Sequence, residues 1–345
     1  MSTTLASQIL QSSADGIAGL AAARLFELVS VDAVDDFAAW KQHLRNQVLQ
    51  LAAALQAQDA TAFAENITWV HEAFRSRNIS TEVLGAALQS LEETARESLP
   101  TTLGEVLGPY VDAARTRLVA GSQPTPSFLD PKHSSGALAG LYLEALRSGD
   151  EATATKLLFQ AAKPDQLGIR TVMEEVLSPA MREIGRLWHN GQATVAEEHY
   201  VTQVTTKVLA QLLAQAPHAP QRGKTALLAG VAGNAHSFGL QVVAGHFELA
   251  GWRTICLGSD TPSASVAEAA VALGAHVVLL GATLGTQLAE TQATLAAVRV
   301  LCPGAKIVVG GAACSRDQSA WERLGADGFA GNGSEAVQVA ESLIG

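Results

Sequence analysis

Two groups of residues in this chain have types and spacings suited to chemistry. The first lies in "GNAHSFGL", residues 233–240, where Asn234, His236 and Gly239 form N-x-H-x-x-G directly after the apolar run "TALLAGVA". Imidazole is a good transition-metal ligand, and an amide two residues upstream is placed to fix its tautomer. Gly239 leaves the backbone bare, which allows a bulky planar ligand to approach or the chain to enter a helix without a Cβ. One imidazole cannot hold a bare ion, so the pattern suits a metal that arrives already coordinated inside a macrocycle. The second group is Trp188, then nine intervening residues, then Glu198 and His199. An indole stacks on a purine or sugar, while an acid and an imidazole hydrogen-bond ribose hydroxyls or a base. Taken singly, these residues read as core packing, a first-turn acid favoured by the helix dipole, and a surface histidine. Only their joint spacing points to a site.

The elements that must position them separate by texture. Residues 1–121 read as helix after helix, with apolar positions at three-and-four spacing in "VDDFAAWKQHLRNQVLQLAAALQAQ" and "STEVLGAALQSLEETARESLP". Ser80 and Thr101 are expected N-caps, and Pro100 divides two helices. "GSQPTPSFLDPKHSSG", residues 121–136, is a linker by its prolines, glycines and serines. Helical texture returns over 137–216, with breaks at "SGD", "KPD" and "HNGQA", which predicts a four-helix bundle. Within it Thr194 and Glu197 make a capping box, so Glu198 and His199 fall in the first or second turn of a helix. After a second linker, "PHAPQRGK", the period changes from residue 225. Short β-rich runs ("TALLAGVA", "RTICLG", "HVVLLGA", "KIVVGG") alternate with helical stretches, which indicates βαβ units and a buried parallel sheet. With "DGFA" as an edge strand there are five units, suited to a flavodoxin-like (Rossmann-type) winding over 225–345. The fold class expected is therefore α plus α/β. The loop carrying His236 sits where such sheets bind ligands, beyond the strands' carboxyl ends, yet it lacks the G-x-G-x-x-G of a dinucleotide site.

Composition narrows the function classes. A hydrophobic share of 48% with 16% charged residues excludes a disordered chain, and a net charge of −10 without a basic patch argues against nucleic-acid binding. Cys256, Cys302 and Cys314 show no ligand spacing and read as buried free thiols in a reducing cytoplasm. "MSTTLASQILQSS" has neither the charged nor the apolar region of a signal peptide, and no apolar stretch reaches a membrane span.

The loop at 233–240 resembles that of cobalamin-binding proteins, whose D-x-H-x-x-G supplies the lower axial ligand of cobalt. The resemblance covers residues 225–345 and implies that His236 ligates cobalt, with Asn234 standing where the family has aspartate. The family's serine after the third strand is Gly281 here, within "GATLGTQ". Thr283, Thr286 or Gln287 are the candidates to replace its hydrogen bond to the buried nucleotide tail. Gly310 and Gly311 match the family's glycine pair, which lets that tail slide between strands. "GWRTICLGSDTP" is similar to the family's second strand and loop. Trp188 with Glu198 and His199 resembles the signature of adenosylcobalamin photoreceptors that repress carotenoid genes. That likeness implies that the three residues enclose the adenosyl group and that His199 takes the upper cobalt position after light has removed it.

The resulting expectation is a non-enzymatic cobalamin photoreceptor whose ligand change alters domain packing and oligomer or partner contacts. A methyl-carrying corrinoid protein serving separate methyltransferases remains the alternative, since it needs His236 but no adenosyl pocket. An isomerase subunit would require a substrate barrel that the sequence lacks. The N-terminal block is not the small basic winged helix of the gene-regulating relatives, so direct DNA binding is not expected. Its Trp40/His43 and Trp69/His71 pairs read as packing and exposed histidines. A likeness to the stand-alone photocobilins adds biliverdin as a second chromophore, held noncovalently because residues 1–224 contain no cysteine.

Overall fold

The computed structural model describes residues 2–29, 36–121, 125–315 and 320–345; Val34 and Asp35 of the second helical stretch and residues 122–124 of the first linker lie outside the described residues. The chain divides into two compact units, Met1–Thr125 with His189–Gln192, and Pro126–Trp188 with Ala193–Gly345.

The first unit is all helical: α1 (Thr3–Leu28), α2 (Phe37–Ala57), α3 (Ala60–Ser76), α4 (Thr81–Ser98) and α5 (Thr101–Ala120). Ser2, Asp36, Asp59 and Ser80 each accept a first-turn backbone N–H, which satisfies donors that a helix start leaves orphaned. Thr101 differs from expectation: it is the first helical residue, and Pro100 occupies the cap without a side-chain hydrogen bond. Leu10, Leu25, Leu44, Leu51, Ile67 and Leu91 are among the core residues shared by these helices. The histidines are not exposed as their spacing suggested. His71 is buried and paired with the Thr81 hydroxyl at 2.8 Å. His43 packs against the rings of Trp40 and Phe74, and burial pulls its pKa down to about 4. Trp69, at 49% exposed, stacks on His189 with ring centroids 4.0 Å apart.

The second unit begins with the four-helix bundle. It consists of α6 (Ser134–Arg147), α7 (Glu151–Ala161), a third helix that starts as α8 (Ile169–Thr171), and α10 (Val195–Gln215). The third helix passes through a π-helical stretch, Val172–Leu177, and continues as α9 (Ser178–His189). The widening has a local cause. Pro179 offers no N–H and its ring crowds the carbonyl four residues back, while the Ser178 hydroxyl donates to the Met173 carbonyl at 2.8 Å.

The α/β part carries five parallel strands, β1 (Thr225–Gly230), β2 (Arg253–Cys256), β3 (Val277–Gly281), β4 (Lys306–Gly310) and β5 (Gly328–Ala330), in the order β2-β1-β3-β4-β5. This is the flavodoxin-like winding. Alternate side chains serve two cores. Leu227, Ala229, Val278, Leu280, Ile307 and Val309 face α12 (Ser263–Ala272) and α13 (Leu288–Leu301), while Ala226, Leu228, Val277, Leu279 and Val308 face α11 (Phe238–Leu249) and, beyond the short α14 (Ala312–Ser315) and α15 (Ala320–Leu324), the last helix α16 (Gly333–Ile344). Both faces being covered explains why the strands read as near-continuous apolar runs. Of the cysteines only Cys314 is buried, which pushes its thiol up to about 11. Cys256, on the edge strand β2, is exposed, because an edge strand has one neighbour instead of two. Among the described residues no helix is long and apolar enough to cross a membrane.

Candidate functional site

Strand order reverses between β1 and β3, and the loops that leave their carboxyl ends diverge there. The β1 loop carries Asn234 and His236. Asn234 is 1% exposed, and its side-chain amide N–H donates to the Gly281 carbonyl at 2.8 Å. That bond aims Oδ1 at His236, where it accepts from the backbone N–H at 3.1 Å and lies 3.3 Å from Nδ1. The amide thus favours the tautomer with the proton on Nδ1, leaving Nε2, which makes no hydrogen bond among the described residues, as a free donor of electrons. Asp260 steadies the loop, accepting from the Gly233 N–H at 2.7 Å and donating its own N–H to the Asn234 carbonyl at 2.9 Å.

Asn234 and Gly281 are linked through the Gly281 carbonyl. A carboxylate at 234 would set an acceptor against the Gly281 carbonyl, whereas the amide brings a donor. A side chain at 281 would press on Leu240, whose Cδ2 lies 3.0 Å from where the Cβ would stand. The amide at 234 reaches only the backbone carbonyl of residue 281, so it and the bare Gly281 are two separate departures from the expected D-x-H and serine pattern.

Beneath His236 lies a cavity of about 220 Å³. His236, Gly239, Thr283, Gly310 and Gly311 line it, together with Leu279, Val308 and Ala330 from the sheet and Gly331–Gly333 at the start of α16. Gly311 has φ +93° and a Cβ there would strike the Ala282 carbonyl oxygen, so the chain permits only glycine. Gly239 is different: a Cβ would meet nothing within 4 Å, so protein packing does not require its absence. The space it leaves opens into the cavity. Thr283 lines this space, but Gln287 does not reach it. The Gln287 carboxamide accepts from the Thr283 and Leu284 N–H groups at 2.7 and 3.0 Å and donates to the Gly233 carbonyl at 3.0 Å, tying the β1 and β3 loops together. Thr286 is half-buried and lines no part of the cavity.

On the bundle side, Thr194 and Glu197 form the capping box that starts α10. Glu198 closes its first turn and His199 opens the second. Glu198 joins the His199 Nδ1 at 2.7 Å and accepts from the Thr202 hydroxyl at 2.9 Å. His199 keeps 72% of its side chain exposed, with its other ring nitrogen directed away from this pair. Trp188 stands in the last turn of α9, half-buried against the bundle core. None of the three lines the cavity under His236.

Sequence reasoning missed the other wall of that cavity. Glu174, Ser178 and Arg182 line it from the π-helical stretch and α9 at four-residue spacing. Glu174 accepts from the Ser334 N–H at 2.8 Å and faces the buried His246 at 3.2 Å. Burial holds His246 below the ordinary imidazole range, and Arg170 adds to this while Glu174 opposes it. The signal available was the Ser178-Pro179 pair, which marks an irregular turn. Nearby, Glu183 is buried. Desolvation alone would raise its pKa, but Arg186 at 2.6 Å and the Phe128 N–H at 2.9 Å together hold it low.

Comparison with known proteins agrees with this geometry. Residues 224–341 and, separately, residues 139–213 match two families each described as a B12 binding domain. The HTH-type transcriptional repressor CarH of Myxococcus xanthus is 33% identical over 159 residues, 46% of this chain and 52% of that protein. The repressor CarA of the same organism is 30% identical over 173 residues, 58% of its length, so the chain spans about half of these relatives. Dimethylamine corrinoid protein 1 of Methanosarcina acetivorans is 26% identical over 178 residues, 50% of this chain and 82% of that protein. The Methanosarcina barkeri monomethylamine corrinoid protein, at 19% identity and a TM-score of 0.51, is covered completely by 61% of this chain and shares its fold.

Proposed function

The chain belongs to the B12-binding protein family, and from that premise we propose that it is a cobalamin photoreceptor in which light alters cobalt ligation and thereby the packing of bundle, sheet and partners. The residues fit a corrinoid: His236 offers an Nε2 that is unengaged among the described residues, and a Cβ at Gly239 would meet none of their atoms within 4 Å. Bound adenosylcobalamin supplies a light-cleavable cobalt–carbon bond. His236 would hold the cobalt, its ring fixed by Asn234. Thr283, Gly310 and Gly311 would border the nucleotide tail. Trp188, Glu198 and His199 would enclose the adenosyl group, and the His199 imidazole could serve as a second protein ligand to cobalt.

The Glu198–His199 pair carries this reading. A 2.7 Å contact orients an otherwise exposed imidazole at the start of α10, an arrangement that a methyl carrier does not need. The second reading, a corrinoid protein serving separate methyltransferases, is favoured by the match to 82% of dimethylamine corrinoid protein 1. For residues 1–121 we propose a signalling role with biliverdin as a noncovalent second chromophore. The buried His43 Nε2 and, one turn along α2, Gln47 Oε1 support this, because both lack a hydrogen-bond partner beside the rings of Trp40 and Phe74. The functional division proposed is a helical domain at 1–121, a capping bundle at 137–216 and a cobalamin-binding domain at 225–345, acting as a homo-oligomer on a downstream protein.

The test is reconstitution with adenosylcobalamin in darkness, with visible spectra and size-exclusion profiles before and after illumination. A photoreceptor loses its alkyl-cobalt bands, yields a stable product and changes its elution. Unorganised photolysis without a stable product, together with methyl transfer in the presence of a methyltransferase, supports the carrier. A new long-wavelength band on adding biliverdin supports the second chromophore.

A further inference from the structure

Arg182 lines the cavity under His236 from an exposed position on α9, and no hydrogen bond or ion pair among the described residues engages its charge. No carboxylate lies within ion-pair distance of it among the described residues, and the neighbouring Glu183 is committed to Arg186. The other polar side chains of this wall are occupied: Glu174 accepts from the Ser334 N–H, the Ser178 hydroxyl donates to the Met173 carbonyl, and Asn332 Oδ1 accepts from the Glu335 N–H. The remaining lining is largely glycine and aliphatic. A guanidinium left unneutralised beside such a cavity is a receptor for an anionic group, with a planar fork suited to phosphate oxygens.

The helix also orders these residues. Glu174, Ser178 and Arg182 are spaced four and four, so Arg182 stands roughly 12 Å along the axis from Glu174. Glu174 is tied to Ser334 and His246, and His246 lies ten residues beyond His236, well along α11. Arg182 stands eight residues further along the same helix, six before Trp188 in its last turn. A nucleotide-bearing corrinoid has its own order: macrocycle, phosphodiester, ribose, then an apolar base. With the macrocycle at His236, the anion comes first and the base last.

We propose that Arg182 binds the phosphodiester of the corrinoid's nucleotide arm and so makes the chain selective for complete corrinoids over those lacking the nucleotide. The inference rests on corrinoid binding at His236 but not on photochemistry.

The experiment titrates the full apo chain with hydroxocobalamin and with cobinamide, which lacks both phosphate and base, following visible absorbance. It compares wild type, Arg182→Met, Arg182→Gln and Arg182→Lys, with the melting temperature of each apo protein as the folding control. The expected result is an Arg182→Met or Arg182→Gln protein that melts as wild type, binds cobalamin at least about tenfold more weakly and binds cobinamide within about twofold of wild type, while Arg182→Lys recovers part of the loss. The wild-type preference for cobalamin should also shrink with added salt more than that of Arg182→Met. An equal loss for both corrinoids overturns the assignment, as does no loss for either. If wild type itself binds neither corrinoid, the underlying reading of the site fails, an outcome distinct from both.

Discussion

Replacing Gly239 should move the stability of the empty protein and its affinity for cobalamin in opposite directions. Gly239 is the second residue of α11, and a Cβ there meets no atom within 4 Å. Alanine therefore adds helix preference without a clash, worth up to about 1 kcal/mol in a helix interior and less this near the end. For a unit of this size that corresponds to an apo melting temperature higher by up to about 2–4 °C. Gly239→Leu keeps most of that gain but adds its bulk at the border of a cavity of about 220 Å³ that this residue lines. Inserting methylenes where a ligand must pack costs about 1–3 kcal/mol, or roughly 5- to 150-fold in affinity. Thermal unfolding of the apo proteins and absorbance titration with cobalamin give the two numbers. An unchanged cobalamin affinity in Gly239→Leu would show that the clear space is not the ligand's, and an apo protein destabilised by Gly239→Ala would contradict the packing argument itself.

Other perturbations test separate links. Asn234→Asp sets a carboxylate against the Gly281 carbonyl at a site 1% exposed and should cost about 1–3 kcal/mol in denaturant unfolding, whereas the same change at a solvent-facing asparagine would not. His236→Ala should leave the apo fold intact and weaken cobalamin or leave its lower cobalt position without a protein ligand, visible in the absorption spectrum. Trp188→Ala should spare cobalamin but release the adenosyl group faster in darkness; unchanged retention would remove Trp188 from the cap. His43 has a folded-state pKa of about 4, below the ordinary imidazole value of about 6.5, so its neutral burial contributes fully above pH ~6.5 and is lost as pH falls from there through about 4. The first unit should lose about 2 kcal/mol from this group between pH 7 and pH 5, a slope that His43→Leu removes in pH-dependent urea unfolding.

What was legible in the sequence follows from the range over which each signal acts. The strand–helix alternation, the capping box at Thr194 and the Asn234–His236 loop are set by neighbours a few residues apart, and the fold class follows from them. Gln287 looked like a tail ligand because its loop is the right one, but its amide is claimed by backbone groups of two different loops, a fact of tertiary structure. The buried histidines of the first unit and the exposed Cys256 likewise depend on which face of an element meets a neighbour. The wall of Glu174, Ser178 and Arg182 was not read because its four-residue spacing marks one helix face without saying what that face will meet. The pair Ser178-Pro179 announces a disturbance there without saying what it will face.

The register of the sheet places Gly230, Gly281 and Gly310 side by side across three adjacent strands, with Ala330 continuing the row. Each of the three glycines abuts something a methyl would strike or crowd: the Gly258–Ser259 backbone, the Leu240 side chain, the Ala330 carbonyl. A serine at position 281 would need the Leu240 side chain to give by a few tenths of an ångström, and because Leu240 also lines the cavity, the row of glycines and the shape of the ligand space are set together.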